Sequence, residues 1–256
     1  MASAVSNLHA GNSRFNAEAA AWDSRPFVLE ASREASKAIL AKLEDMPIAS
    51  DGLQVLEIGC GTGILSFLLA TDSRISRIVA VDAAEGMIDV LKEKLQKSGA
   101  PRNIVPLALL LEDPNDSALP AGPDGATQRF DLITSHLVLH HIPELRPVLR
   151  TMLGCLKPGG RVMLTDFEDL GAETKRFHPI SKLDGVARHG INAVEMKRLM
   201  EDVGFAEVEV KSHWTMDKKV ERFEGEFGEN GNAKDGMGEM MKFPFVVCYG
   251  IKHGQA

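Results

Sequence analysis

The sequence predicts an α/β fold built on a largely parallel sheet. Short apolar runs such as Leu53–Ile58 alternate with helical patterns that repeat apolar residues at three- and four-residue steps, for example over 84–98. Two of these runs carry a carboxylate at or next to their last position, which is typical of buried strands whose carboxyl ends face a ligand. With 256 residues, 44 % of them hydrophobic and 25 % charged, the chain suits one globular domain with added segments.

The first apolar run leads into a Glu-x-Gly-x-Gly-x-Gly turn, from Glu57 to Gly63, and then into an apolar helical pattern over 64–70. The glycines let the backbone approach a nucleotide-like ligand, and the free N–H groups at the helix start offer hydrogen-bond donors. A dinucleotide-binding turn would place its third glycine at position 64, where this chain has Ile64. The spacing therefore disfavours a nicotinamide-dependent oxidoreductase.

The remaining elements are predicted from the same two patterns, which are short apolar runs for strands and apolar residues at three- and four-residue steps for helices. An alanine-rich segment from Phe15 ends at a turn marked by Pro26, and a longer helical pattern then runs to about Leu43. Further along, we predict helices over 84–98, 143–153 and 192–203, and strands over 78–82, 104–111, 130–135, 156–164, 205–211 and 242–252.

Four signatures in this order resemble the class I S-adenosylmethionine (SAM)-dependent methyltransferases, nearest to the quinone-biosynthesis C-methyltransferases and related small-molecule enzymes. They are the glycine turn, Asp82 at the end of the second run, the run over 130–135, and the turn and run over 156–164. The resemblance covers about residues 15–215. It implies a Rossmann-like fold: a seven-stranded, mostly parallel sheet with strand seven antiparallel, helices on both faces and an N-terminal helical lid.

This resemblance also divides the chain. We expect a disordered tail over 1–14, the helical lid over 15–50 and a SAM-binding domain over 51–256. Residues 217–240 are charged and dense in glycine, so we expect a flexible insert there, between strands six and seven.

The resemblance implies SAM as the cofactor and suggests how it is held. Glu57 is placed to bind the ammonium group of SAM, and Asp82 to accept hydrogen bonds from the ribose hydroxyls. No acid ends strand three, so adenine is held either by apolar and backbone contacts near Leu110 or by Glu112 just beyond. The predicted cofactor-binding residues are Glu57, Gly59, Cys60, Gly61, Gly63, Asp82, Ala83, Met87, Leu110, Leu111, Glu112, Ser135 and His136.

Three histidines, His136, His140 and His141, follow strand four at the sheet edge where such folds bind their ligands. An imidazole there could take a proton from a hydroxyl or thiol, and Asp166 ends strand five at the same edge. We predict His140, His141 and Asp166 as catalytic candidates. The alternative is that the histidines are structural, one capping a helix and another packing on the sheet. The spacing is not that of a zinc motif, so no metal is predicted.

Four further residues are candidates for contact with the methyl acceptor. Trp22 belongs to the predicted lid, although an ordinary packing role for it is equally consistent with the sequence. Phe167 follows Asp166 and could stack on an acceptor, whereas His178 and His189 lie in the connection that usually covers the acceptor in the resembled family.

Charge and cysteine usage limit the partners. The net charge of −7 disfavours nucleic acid, because neutralising phosphates needs a basic face. Three cysteines without C-x-x-C spacing suit a reducing compartment, and no stretch reads as a secretory signal or membrane span. We therefore expect a cytoplasmic monomer or homodimer that acts on a small-molecule methyl acceptor, with no nucleic acid or membrane partner.

Two functions remain open from the sequence. One is a SAM-dependent methyltransferase that transfers a methyl group to an O, S, N or C atom of a small organic molecule. The alternative is a SAM-binding protein without catalysis that acts as a regulatory or interaction partner. The cofactor residues would be needed under either function, so they do not separate the two.

Overall fold

The computed structural model describes residues 12–46 and 50–254. Most of the tail predicted over 1–14 lies outside the described residues. Helical residues 12–18 and the 3-10 helix Ala19–Ser24 precede five α-helices: α1 (Pro26–Lys42), α2 (Ile64–Leu69), α3 (Glu85–Leu95), α4 (Leu145–Cys155) and α5 (Ala193–Val203). The strands are β1 (Leu53–Ile58), β2 (Ile75–Asp82), β3 (Ile104–Ala108), β4 (Phe130–His136), β5 (Leu156–Phe167), β6 (Phe205–Val220) and β7 (Glu239–Lys252).

All seven strands form one sheet in the order β3-β2-β1-β4-β5-β7-β6. The first five strands run parallel, and β7 pairs antiparallel with both β5 and β6. The predicted α/β fold is confirmed, including the antiparallel seventh strand. Because the strand order reverses between β1 and β4, the carboxyl ends of these two strands open a crevice at the point where such sheets bind ligands.

The two faces of the sheet are covered by different helices. On β1, Val55 packs in a core with α1, α2 and α3, whereas its neighbour Leu56 packs in a core with α4 and α5. Successive side chains of a strand point to opposite faces, so adjacent apolar residues such as Val55 and Leu56 are what a strand buried on both sides needs. This burial fixes the position of the glycine turn that follows β1.

The outer hairpin is longer than its sequence predicts. We expected strand six over 205–211, yet β6 continues to Val220, and β7 begins three residues before the expected position 242. The added part lies at the sheet edge, where many side chains are exposed and polar. These charged and polar residues obscure the alternation of apolar and polar positions that would indicate a strand. Met216 and Val220 are its buried residues, and they pack with Phe243 in a third core. The expected insert is thereby shortened to residues 221–238.

No helix within the described ranges is both long enough and apolar enough to cross a bilayer.

Candidate active site

The glycine turn after β1 presents open backbone at one position only. Gly59, Gly61 and Gly63 all have positive φ, of 72°, 54° and 79°, which other residues rarely adopt. A Cβ built on Gly59 would lie 2.4 Å from a methyl of Val138, and one on Gly63 would lie 2.5 Å from a side chain of α3. On Gly61 the nearest atom would be Nε1 of Trp22, at 3.9 Å. Gly59 and Gly63 therefore permit packing, and Gly61 faces a cavity.

This first cavity lies over the carboxyl ends of the parallel strands. Residues 12–24, here called the N-terminal segment, contribute Asn12, Phe15 and Trp22 to its wall. Sequence analysis did not identify Asn12, Phe15 or Thr62 as site residues, although Thr62 stands inside the glycine turn. Ten predicted cofactor residues line the cavity: Glu57, Gly59, Cys60, Gly61, Asp82, Ala83, Met87, Leu110, Leu111 and His136.

Three predicted cofactor residues do not line this cavity. Gly63 packs the start of α2 against α3, as its missing Cβ shows. The Ser135 hydroxyl is buried and donates a hydrogen bond to the carbonyl oxygen of Ile58 at 2.8 Å, so it ties β4 to β1. Glu112 is exposed, and its backbone carbonyl accepts from Thr151 at 2.7 Å. Adenine recognition by Glu112 would require a movement of that side chain.

Asp82 shapes the turn as well as facing the cavity. Its Oδ2 accepts a hydrogen bond from the backbone N–H of Gly61, and its Oδ1 accepts one from the N–H of Ala84, both at 2.8 Å. Burial raises the pKa of the Asp82 carboxyl, while these two N–H groups oppose the rise. The carboxylate thus joins the end of β2 to the glycine turn.

Glu57 is an acid with almost no access to water. Its side chain is 2 % exposed and accepts a hydrogen bond from the Ser66 hydroxyl. Burial raises the pKa of Glu57 to about 8, and the nearby charge of Asp82 adds to the rise. At neutral pH Glu57 is therefore mostly protonated, and an arriving cation would favour its ionised form.

The N-terminal segment is tied to the glycine turn by polar contacts. The Thr62 hydroxyl donates to the Asp23 carboxylate, and Lys94 Nζ donates to Asp23 at 2.6 Å and to the carbonyl of Thr62 at 2.9 Å. Nearby, the Asn16 side chain accepts from the N–H of Gly86 at 2.8 Å. These contacts hold the segment over the first cavity, where Trp22 forms part of the wall.

A second cavity adjoins the first. It has a volume of about 690 Å³ and is bounded by the N-terminal segment, the connection 171–191, β6 and the hairpin tip 221–238. Five residues line both cavities: Phe15, Trp22, Val28, Leu137 and His141. Leu137 adopts φ of 56°, a strained conformation for a branched side chain, at this shared wall.

Two histidines of the predicted catalytic set have fixed ring orientations. His140 Nδ1 lies 2.8 Å from Oδ1 of the fully buried Asp166, and His141 Nδ1 lies 2.8 Å from the carbonyl oxygen of Gly185. A carbonyl or carboxylate oxygen only accepts, so in both rings Nδ1 carries the proton and donates. In the neutral ring this leaves the Nε2 lone pair for another partner. Asp166 lines neither cavity, so it positions His140 and does not reach a ligand.

The remaining acceptor candidates separate into two groups. Trp22 and His178 line the second cavity. Phe167 and His189 line neither of the two cavities, so the geometry lends no support to the expectation that they contact the acceptor. Phe167 is fully buried and stacks on Phe177 with ring centroids 3.8 Å apart, because it ends the buried strand β5.

Sequence analysis missed Lys218, whose ammonium group belongs to the wall of the second cavity. Its Nζ lies 4.6 Å from the ring centroid of Phe27 and 5.0 Å from that of Phe177. Within the described ranges no carboxylate forms a salt bridge with it. Burial lowers the pKa of Lys218 to about 8, and Arg25 adds to this shift. Its position in the expected flexible insert gave no signal of a site residue.

The fold and the two adjoining cavities over the strand ends define a Rossmann-like methyltransferase domain. The chain belongs to the methyltransferase domain family, whose profile matches residues 29–210. The family predicted from the sequence is thereby confirmed.

Two curated relatives are similar over part of their length. An uncharacterized methyltransferase of Schizosaccharomyces pombe is 33 % identical over 143 residues, which cover 54 % of this chain and 48 % of that protein. A ubiquinone biosynthesis O-methyltransferase of Coxiella burnetii is 29 % identical over 126 residues, covering 48 % and 47 %. The chain spans about half the length of these relatives. A solved SAM-dependent methyltransferase from Aquifex aeolicus has a TM-score of 0.55 at 17 % identity, covering 94 % of this chain and 98 % of that one, which confirms the fold.

Proposed function

We propose that the protein is a SAM-dependent methyltransferase that binds SAM in the first cavity and methylates a small organic molecule held in the second. The observation that carries this proposal is the shared wall, where Trp22, Leu137 and His141 line both cavities. Methyl transfer is an in-line displacement, so a donor and an acceptor must meet end to end with water excluded. Membership in the methyltransferase domain family supports the same function.

The residues of the first cavity fit SAM. Gly61 leaves room for a ligand against its backbone, Asp82 can accept from ribose hydroxyls, and Glu57 can ionise beside the ammonium group of SAM. Leu110 and Met87 offer an apolar surface for adenine. When bound, SAM supplies an electrophilic methyl group on a sulfonium. The N-terminal segment would act as a lid that keeps water from this group.

The second cavity suits an acceptor with an aromatic or apolar body and a polar or anionic group. Phe27 and Phe177 provide aromatic surface beneath the ammonium of Lys218, which has no salt-bridge partner among the described carboxylates. His141 Nε2 carries a lone pair at the shared wall and is the group best placed to take a proton from an acceptor hydroxyl or thiol. Asp166 would act only through His140.

The test is the formation of S-adenosylhomocysteine by the purified protein with SAM and a panel of phenols, hydroxy acids and thiols. Asp82→Ala is the matched control with weakened cofactor binding, because losing hydrogen bonds to the ribose should weaken SAM binding by about 1.5–3 kcal/mol. Absence of SAM binding by the wild type would contradict the cofactor assignment. SAM binding without turnover on any acceptor would favour a non-catalytic SAM-binding protein.

His141→Gln tests the proton-accepting role separately. Glutamine keeps much of the shape of the side chain but removes the base, so turnover should fall about 10²–10⁴-fold while the SAM dissociation constant changes little. His213→Gln, on the exposed part of β6, is the control. Turnover within a few-fold of wild type would make His141 a wall residue.

A further inference from the structure

Three histidines from two separate segments meet beside the second cavity. His140 and His141 form part of the 3-10 helix after β4, and His178 comes from the connection 171–191. One ring nitrogen from each can be chosen so that all three lie within 4.8 Å of one another. The ring centroids of His140 and His141 are 3.9 Å apart, and His178 is 5.1 Å from His140. The fold therefore supplies a three-nitrogen cluster that the sequence spacing does not show.

The surroundings of this cluster are those of metal ligands. A metal-bound histidine usually donates its second ring N–H to a carboxylate or a backbone carbonyl, which fixes the ring and its tautomer. His140 has this contact with Asp166, and His141 has it with the carbonyl of Gly185, each at 2.8 Å. In the neutral tautomer that donates from Nδ1, Nε2 of each ring carries the lone pair that coordination requires.

The cluster also contains buried nitrogen atoms that lack a partner. His140 is 2 % exposed, and its Nε2 has no hydrogen-bond partner among the described residues; the same is true of His178 Nδ1. Leaving a buried polar atom unsatisfied costs free energy, so each such atom calls for a partner such as a water, an ion or a ligand. An ion between the three rings would satisfy both.

We propose that His140, His141 and His178 bind one divalent transition-metal ion, with Zn²⁺ the best match. Three neutral imidazoles and an open fourth position are a common zinc ligand set, whereas Mg²⁺ and Ca²⁺ prefer oxygen ligands. Tetrahedral Zn–N bonds of about 2.0–2.1 Å place ligand nitrogens about 3.3 Å apart. The rings must therefore close from separations of up to 4.8 Å. His178 lies between two short 3-10 helices in an irregular connection, which can absorb that movement.

The surrounding charges indicate what completes the coordination. Asp166 contributes a negative charge behind His140, but Arg14 and Lys218 face the cluster and disfavour a bare dication. An anionic fourth ligand offsets this repulsion. All three histidines line the second cavity, so an ionised oxygen or sulfur of the methyl acceptor could take that position. In the ion-loaded protein the His141 lone pair is used for coordination, and the ion takes over from His141 in favouring the ionised acceptor. This last consequence rests on the proposed function, and the metal site itself does not.

The test is a titration of the chelator-stripped full chain with Co²⁺, followed by its absorption bands, and with Zn²⁺ in competition with a chromophoric chelator. We expect one ion per molecule and an intense visible Co²⁺ spectrum of tetrahedral type. Neither measurement needs SAM or an acceptor. SAM binding by the stripped protein is measured in parallel, so failure of the metal site and failure of the proposed function are distinguishable.

Variants identify the ligands. His178→Ala should weaken Zn²⁺ binding more than about 100-fold, and Asp166→Asn, which perturbs only the partner of His140, about 10–100-fold with an altered Co²⁺ spectrum. His213→Ala, outside the cluster, should bind like wild type. Circular dichroism checks folding, and His141→Gln replaces any variant that misfolds. Binding of well under one ion per wild-type molecule, or unchanged affinity in a folded His178→Ala variant, would overturn the proposal.

Discussion

The hydroxyl of Thr62, inside the glycine turn, donates a hydrogen bond to the carboxylate of Asp23 in the N-terminal segment. Lys94 of α3 binds the other oxygen of the same carboxylate at 2.6 Å. One side chain thus connects the turn, the segment above it and the helix that packs on both. This contact fastens the segment over the first cavity.

Asp23→Ala should open the first cavity. Loss of a hydrogen-bonded, partly buried ion pair is expected to weaken SAM binding about tenfold, since such contacts are worth about 1–2 kcal/mol. The residues around Trp22 should also become more sensitive to limited proteolysis. The control is Asp89→Ala on α3, the helix that carries Lys94, which removes only an exposed ion pair with Lys92. It should change neither the SAM affinity nor the sensitivity to proteolysis. Equal SAM affinity in the two variants would show that the segment is not a closing element.

Glu57 should make stability fall as pH rises. The folded protein keeps the Glu57 proton up to a pKa of about 8, whereas the ordinary value is 4.5. Between these values the folded state binds more protons than the unfolded state, so the free energy of unfolding decreases with pH. Glu57→Gln removes this term. At pH 8 its melting temperature should exceed that of wild type by about 10 °C, because the pKa shift from 4.5 to about 8 corresponds to about 4 kcal/mol at that pH, and the two should converge as the pH falls to about 4. Glu93→Gln, on the exposed face of α3, should leave the pH profile unaltered.

SAM binding should release a proton. At pH 7 the Glu57 carboxyl is mostly protonated because its pKa is about 8, and pairing with the ammonium group of SAM requires the ionised form. The SAM dissociation constant should therefore fall as pH rises from 6 to 8, by up to about tenfold per pH unit. Calorimetry in two buffers of different ionisation enthalpy would count the proton. Glu57→Gln should bind more weakly and release none; if it releases as many protons as wild type, another group titrates.

Lys218 should govern the affinity for anionic acceptors. Its ammonium is charged below a pKa of about 8 and neutral above it, so the KM for an anionic acceptor should rise as pH passes 8. Lys218→Met keeps the apolar stem, and its KM should be at least about tenfold higher at pH 7 and no longer depend on pH in this range. Lys211→Met, on the exposed part of β6, is the control. Neutral acceptors should show neither effect.

The parallel sheet and the glycine turn could be predicted because their signals are local. An apolar run such as Leu53–Ile58, a glycine at Gly61 and an acid at Asp82 each show their structural role within a few residues. The site roles of His178 and Lys218 could not be predicted in this way, because they depend on side chains from distant segments that the fold brings beside them. Phe167 was assigned to the acceptor because it ends a strand at the ligand edge, yet burial against Phe177 decides its place. Packing between distant segments leaves no periodic signal in the sequence.

Apart from the N-terminal segment and the shared wall, the two cavities are built from different parts of the chain. The first is formed largely by the ends of the central parallel strands, where each substitution also affects the core. The second is bounded by the connection 171–191 and by the β6–β7 hairpin, whose outer half extends beyond the shared sheet. An insertion or deletion at the hairpin tip 221–238 would alter which molecules enter while leaving the glycine turn intact. A change confined to this edge hairpin would therefore alter the second cavity and leave the first cavity as it is.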